Sequence, residues 1–100
     1  MRTLYDIEDR ITHLGIPKMV KADAIAVYHI IAQVESEARG VPVEGLDFDE
    51  LSNIPAESDI VGACLRMYER GPGSVEDIVR AALENNLSLC EALKAIEIDR

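Results

Sequence analysis

Residues 17–40 read PKMVKADAIAVYHIIAQVESEARG, and the apolar spacing within this stretch decides the fold. Val20, Ala24, Val27, Ile31 and Val34 recur at steps of three and four, which places them on one stripe of a helix. Pro17 suits a first helical turn, where no N–H donor is needed, and Arg39-Gly40 supplies a glycine C-terminus. A helix over 17–39 is therefore predicted as the longest element and the centre of the core. Toward the N-terminus, Leu4, Ile7, Ile11 and Leu14 repeat at helical spacing and predict a helix over 3–14, stopped by Gly15 and Pro17. Toward the C-terminus, Pro55 opens a helix over 55–70 with Ile60, Val61, Cys64, Leu65 and Tyr68 on its buried face, and Gly71-Pro72-Gly73 ends it. Ser74 with Asp77, and Ser88 with Glu91, stand at capping-box spacing and open helices over 74–85 and 88–98. No β-alternating run occurs, so the expected class is all-α: a compact bundle of about five helices in one domain over 1–100, with one long irregular acidic loop from Gly40 to Pro55.

The 100 residues, 48% of them apolar, suffice to close one core. Ten basic against nineteen acidic residues give a formal charge of -9, so the surface repels phosphate backbones and anionic headgroups. Nucleic acid and membrane are excluded as expected partners; a protein partner or self-association is expected instead, the latter through Leu87, Leu89 and Leu93. No apolar run approaches the roughly 20 residues of a membrane span, and no signal-peptide pattern is read, so the chain is expected in the cytoplasm. Cys64 and Cys90 lack nearby ligand partners in sequence and read as reduced, small core residues.

The acidic loop carries the candidate chemistry. Asp47, Asp49 and Glu50 surround the lone Phe48, and Asp59 follows; their oxygens suit a hard cation such as Mg or Mn better than nickel. The alternative is that these carboxylates cap helix N-termini or face water. The spacing does not fit a twelve-residue calcium loop. His13 and His29 have no nucleophile placed near them in sequence, and Tyr5, Tyr28 and Tyr68 read as residues at the edge of the core. The helices 74–85 and 88–98 read as a packing hairpin, since a DNA-reading second helix needs a basic excess that Glu91, Lys94, Glu97, Asp99 and Arg100 do not provide.

The loop also carries a signature. Gly40-Val41-Pro42-Val43-Glu44, then Phe48 and Glu50, then Asp59-Ile60-Val61-Gly62, resemble without a gap the pattern of the nickel insertion proteins (LarC type). The family's His-Phe-His-Glu-Val-Gly box stands here as Asp47-Phe48-Asp49-Glu50-Leu51-Ser52, and Arg39 occupies a position where the family commonly has a further histidine. The resemblance covers about Lys18 to Leu65. It implies a relative of proteins that load nickel into a pincer nucleotide cofactor using CTP, reduced to the helical part around the signature, without the family's glycine-rich opening segment or its large C-terminal region. With the box histidines replaced, the expected role is a non-catalytic binding or assembly module linked to metal-cofactor maturation. An alternative is a degenerate Mg-dependent nucleotide phosphohydrolase in which Asp47, Asp49, Glu50 and Asp59 converge on the cation. A looser likeness, of Leu14-Gly15-Ile16-Pro17 with Val20, Lys21, Ala24 and Tyr28 to the start of a cyclin-type repeat, implies a transcription adaptor.

Overall fold

The described residues form an all-α fold whose bounded elements are α1 (Leu4–Thr12), α2 (Lys18–Arg39), a short 3-10 turn (Val43–Gly45), α3 (Glu57–Met67) and α4 (Ser74–Glu84). The structure is a computed structural model and describes residues 1–51, 54–68, 74–87 and 91–92. The hinge at 71–73, the Ser88 cap and nearly all of the expected helix over 88–98 lie outside those residues; Glu91 and Ala92 are helical.

Helix α1 begins with a reciprocal cap. The Thr3 hydroxyl accepts from the Asp6 N–H at 3.3 Å, and the Asp6 carboxylate accepts from the Thr3 N–H at 2.9 Å, so two otherwise orphaned donors are satisfied. Its apolar positions Leu4, Ile7 and Ile11 are all buried. The expected fourth member, Leu14, lies past the helix end and is 38% exposed. His13 closes the helix, and its Nδ1 contacts the Asp9 carbonyl.

Helix α2 packs against α1, α3 and α4, which makes it the axis of the core. Val20, Ala24, Val27 and Ile31 are buried, joined by Asp23, Tyr28, Ile30 and Ala32. Val34, expected on the same stripe, is exposed, as is Gln33 before it and everything over 37–40; the last two turns of α2 extend past the partners that cover its middle. Helix α3 buries Ile60, Val61, Ala63, Cys64 and Met67. Leu65 and Tyr68 do not share this face and are more than two-fifths exposed: at about 100° per residue Leu65 turns away from the Cys64 side. Helix α4 sets Val75, Val79 and Ala82 into the core and ends where Asn86 takes a left-handed φ of 56°, with the Leu87 N–H reaching back to the Ala82 carbonyl at 2.8 Å. This is a six-to-one closure that uses a carbonyl left orphaned by the helix end.

Among the described residues no helix is long and apolar enough to cross a membrane.

Candidate functional site

The signature segment begins where α2 stops. Gly40 lies at φ 66° and ψ 29° and donates its N–H to the Ser36 carbonyl, a left-handed closure that a side chain would strain. The Val41 N–H also reaches Ser36, and the Ser36 hydroxyl donates to the Val41 carbonyl. Pro42, with φ near its preferred value at -58°, starts the 3-10 turn, and the Gly45 N–H closes on the Pro42 carbonyl at 2.9 Å. Gly45 packs close: a Cβ there would meet Val41 Cγ1 at 3.3 Å. This tight turn sends Leu46 and Phe48 into the core, at 2% and 4% exposure. Phe48 meets Tyr28 edge to face, with ring centroids 6.0 Å apart and planes at 71°, the arrangement the ring quadrupoles prefer. Burial, and next the carboxylate of Glu57, push the Tyr28 hydroxyl up to about 12.

The box carboxylates are engaged by the N-terminus. The Phe48 N–H donates to the Arg2 carbonyl at 2.8 Å, and the Arg2 N–H donates to Asp47 Oδ1 at 3.1 Å. The same oxygen accepts the Asp49 N–H at 3.0 Å. The Arg2 N–H bond is the main reason the Asp47 carboxyl is held below its ordinary value. Arg2 Nε lies 3.4 Å from Asp49 Oδ1, so Arg2 clasps the box by backbone and side chain together. Glu50 is exposed and donates its N–H to the Asp47 carbonyl. Asp59 is elsewhere, exposed in the first turn of α3, where a negative charge meets the positive end of the helix dipole. Arg39, Asp47 and Glu50 line one small cavity of about 100 Å³, and Arg39 is turned to Glu35, 2.9 Å away along α2. Two of the three positions where the signature carries histidine thus border one cavity, and the third, Asp49, is beside it on Arg2. Among the described residues no three of His, Cys, Asp and Glu are gathered so as to hold a metal ion. The donors present are carboxylate oxygens, which are poorly matched to nickel.

Three further features were not anticipated from sequence. One is the Arg2 clasp, whose nearest partner in sequence, Asp47, lies 45 residues away in the chain. The second is a buried acid: Asp23, 7% exposed, is near the Cys64 thiol, and burial first, then the Asp23 charge, push that thiol up to about 12. Its signal was available, since Asp23 falls between Val20 and Val27 at steps of three and four on the buried stripe. The third is an open groove of about 700 Å³ between the end of α1 with its following turn and α3, floored by Leu14, Ile16, Val61 and Leu65. At its rim Arg10 pairs with Glu57 at 3.2 Å, and His13 lies 3.6 Å from Asp9. His29 contacts Glu8 across α1 and α2, outside the groove.

The family model described as nickel insertion protein matches residues 1–89. A pyridinium-3,5-bisthiocarboxylic acid mononucleotide nickel insertion protein of Staphylococcus saprophyticus is 30% identical over 70 residues, covering 70% of this chain and 18% of the relative. A protein of Methanococcoides burtonii to which nickel insertion is ascribed is 31% identical over 68 residues, or 68% of this chain and 17% of its own length. One of Synechocystis, similarly ascribed, is 37% identical over 65 residues, or 65% of this chain and 15% of its own. The chain therefore spans about a sixth of the length of the curated relatives it matches. No solved structure matches it.

Proposed function

Since the chain belongs to the nickel insertion protein family, we propose that it serves the maturation of a nickel cofactor as a binding or assembly module, with the chemistry carried out by other polypeptide. Nickel in this reading is cargo for the system and not a resident of this chain. The observation that carries the proposal is the state of the box: Asp47 Oδ1 already accepts two backbone N–H groups, and Asp49 is paired with Arg2. A cation there would compete with the Arg2 guanidinium for Asp49 and would meet an Asp47 oxygen already twice hydrogen-bonded, so the box offers it less uncompensated negative charge than its count of carboxylates suggests. The same hydrogen bonds suit a structural duty, because they fasten the N-terminus to the signature turn. Partners are expected to be proteins, and the charge of -9 favours a basic surface on them.

Calorimetric titration with Mg²⁺, Mn²⁺, Ca²⁺ and Ni²⁺ tests the reading. No saturable heat is expected with any of the four. Saturable binding that is lost in an Asp47→Asn, Asp49→Asn variant would overturn it and return the box to metal chemistry.

A further inference from the structure

We infer that the groove between α1 and α3 is a docking site for an amphipathic helix, apolar on one face and basic at its flanks, from the part of a nickel insertion protein that lies outside the matched stretch. The inference rests on the module reading above and names its surface. Of the described large apolar side chains left exposed, Leu14 and Leu65, at 38% and 43%, border this one groove. Ile16 and Val61 continue the floor between them.

The polar groups at the rim are already paired with one another, Arg10 with Glu57 and His13 with Asp9. A small ligand would therefore find carbon surface but few free groups to orient it, whereas the apolar face of a helix needs little else. With the rim groups paired off, the complement to basic residues flanking such a face is the chain's overall surplus of nineteen acidic over ten basic residues.

The signature and the length of the relatives support this choice of occupant. Val61 and Gly62, from the Asp59-Ile60-Val61-Gly62 element, form one wall of the groove. In the relatives the matched stretch is only 15–18% of the protein, so it is accompanied by a large remainder available to cover this wall.

The test uses the 100-residue chain and, as probe, the S. saprophyticus nickel insertion protein with its matching stretch deleted, co-expressed and then titrated from purified parts. A one-to-one complex is expected by size exclusion with light scattering. A Leu14→Asp, Leu65→Asp variant should weaken it at least ~10-fold, about 1.4 kcal/mol, while Tyr5→Asp, exposed on α1 and absent from the groove lining, leaves it unchanged. Should the aspartates lower the melting temperature, Leu14→Gln and Leu65→Gln remove the apolar contact without adding charge. A complex equally tight in every variant overturns the groove assignment and leaves the module reading in place. No complex at all overturns the inference, while the module reading stands or falls by the metal titration. Self-association of the chain that the Leu65 variant abolishes makes the occupant a second copy and also overturns the inference.

Discussion

At the scale of single residues, Gly40 and Asp47 hold the signature turn in place by different means. Gly40 is at φ 66°, and an L side chain in that region is disfavoured by roughly 1–2 kcal/mol. Nothing crowds the position, as no atom lies within 4 Å of an added Cβ, so Gly40→Ala isolates the backbone term. A loss of about 1 kcal/mol in urea unfolding is expected; an unchanged midpoint would mean that the turn relaxes to another closure. Asp47 acts through charge. Its folded carboxyl titrates below the ordinary 3.8, chiefly because of the Arg2 N–H. The stability it contributes is then fully present above the unfolded value and disappears as pH falls through the folded one. Asp47→Ala should therefore be less stable than the parent at pH 7, with the gap closing below about pH 4; a gap independent of pH would remove the ionised carboxylate from the account. Cys64 gives the opposite sign of shift: with its thiol raised to about 12 by burial and by Asp23, it should stay unreactive toward thiol reagents at pH 8 until the fold opens, and rapid labelling of a Cys90→Ser variant at that pH would contradict the buried placement.

At the scale of elements, the loop is anchored through one aromatic pair. Phe48 is 4% exposed and rests on Tyr28, which is 1% exposed; truncating Phe48 to Ala should cost about 3–5 kcal/mol. A cycle with Tyr28→Leu should show coupling of about 0.5–1.5 kcal/mol for the edge-to-face contact, measured as non-additivity in denaturant unfolding. Additive losses would place Phe48 and Tyr28 in separate environments. The all-α class, the stripe of α2 and the glycine stop at position 40 were legible because helical periodicity and left-handed caps are local signals. Leu65 and Tyr68 were misplaced on the buried face of α3 because an apolar residue counts toward a stripe whichever way its helix is rotated, and the rotation is fixed only by contact with α2. For the candidate site the residues were legible and their partners were not. The run around Phe48 is visibly acidic, but its first carboxylate answers to Arg2 at the far end of the chain, and no spacing rule reaches across that separation. The groove was equally hidden, since its walls come from Leu14 and Leu65, which sequence assigned to the interior.

For the molecule as a whole, the imbalance of nineteen acids against ten bases sets the response to salt. The basic residues are already committed in part: Arg2, Arg10, Arg39 and Arg80 each lie within 4 Å of a carboxylate. These pairs are exposed or half-exposed, so each contributes about 0–1 kcal/mol and screening takes little from them. The surplus carboxylates repel one another over distances comparable to the Debye length, about 10 Å at 0.1 M salt, and folding brings them closer than they are in the open chain. Screening should therefore relieve more repulsion than it removes attraction. Raising NaCl from 0.02 to 0.5 M is expected to raise the thermal midpoint by at least ~2 °C, which for a domain of this size corresponds to about half a kcal/mol. Sodium sulfate also promotes burial by exclusion from the surface, so the comparison belongs in chloride. A midpoint that falls with chloride would mean that the attractive pairs outweigh the surplus charge, and the case for a basic partner surface, which rests on that surplus, would fall with it.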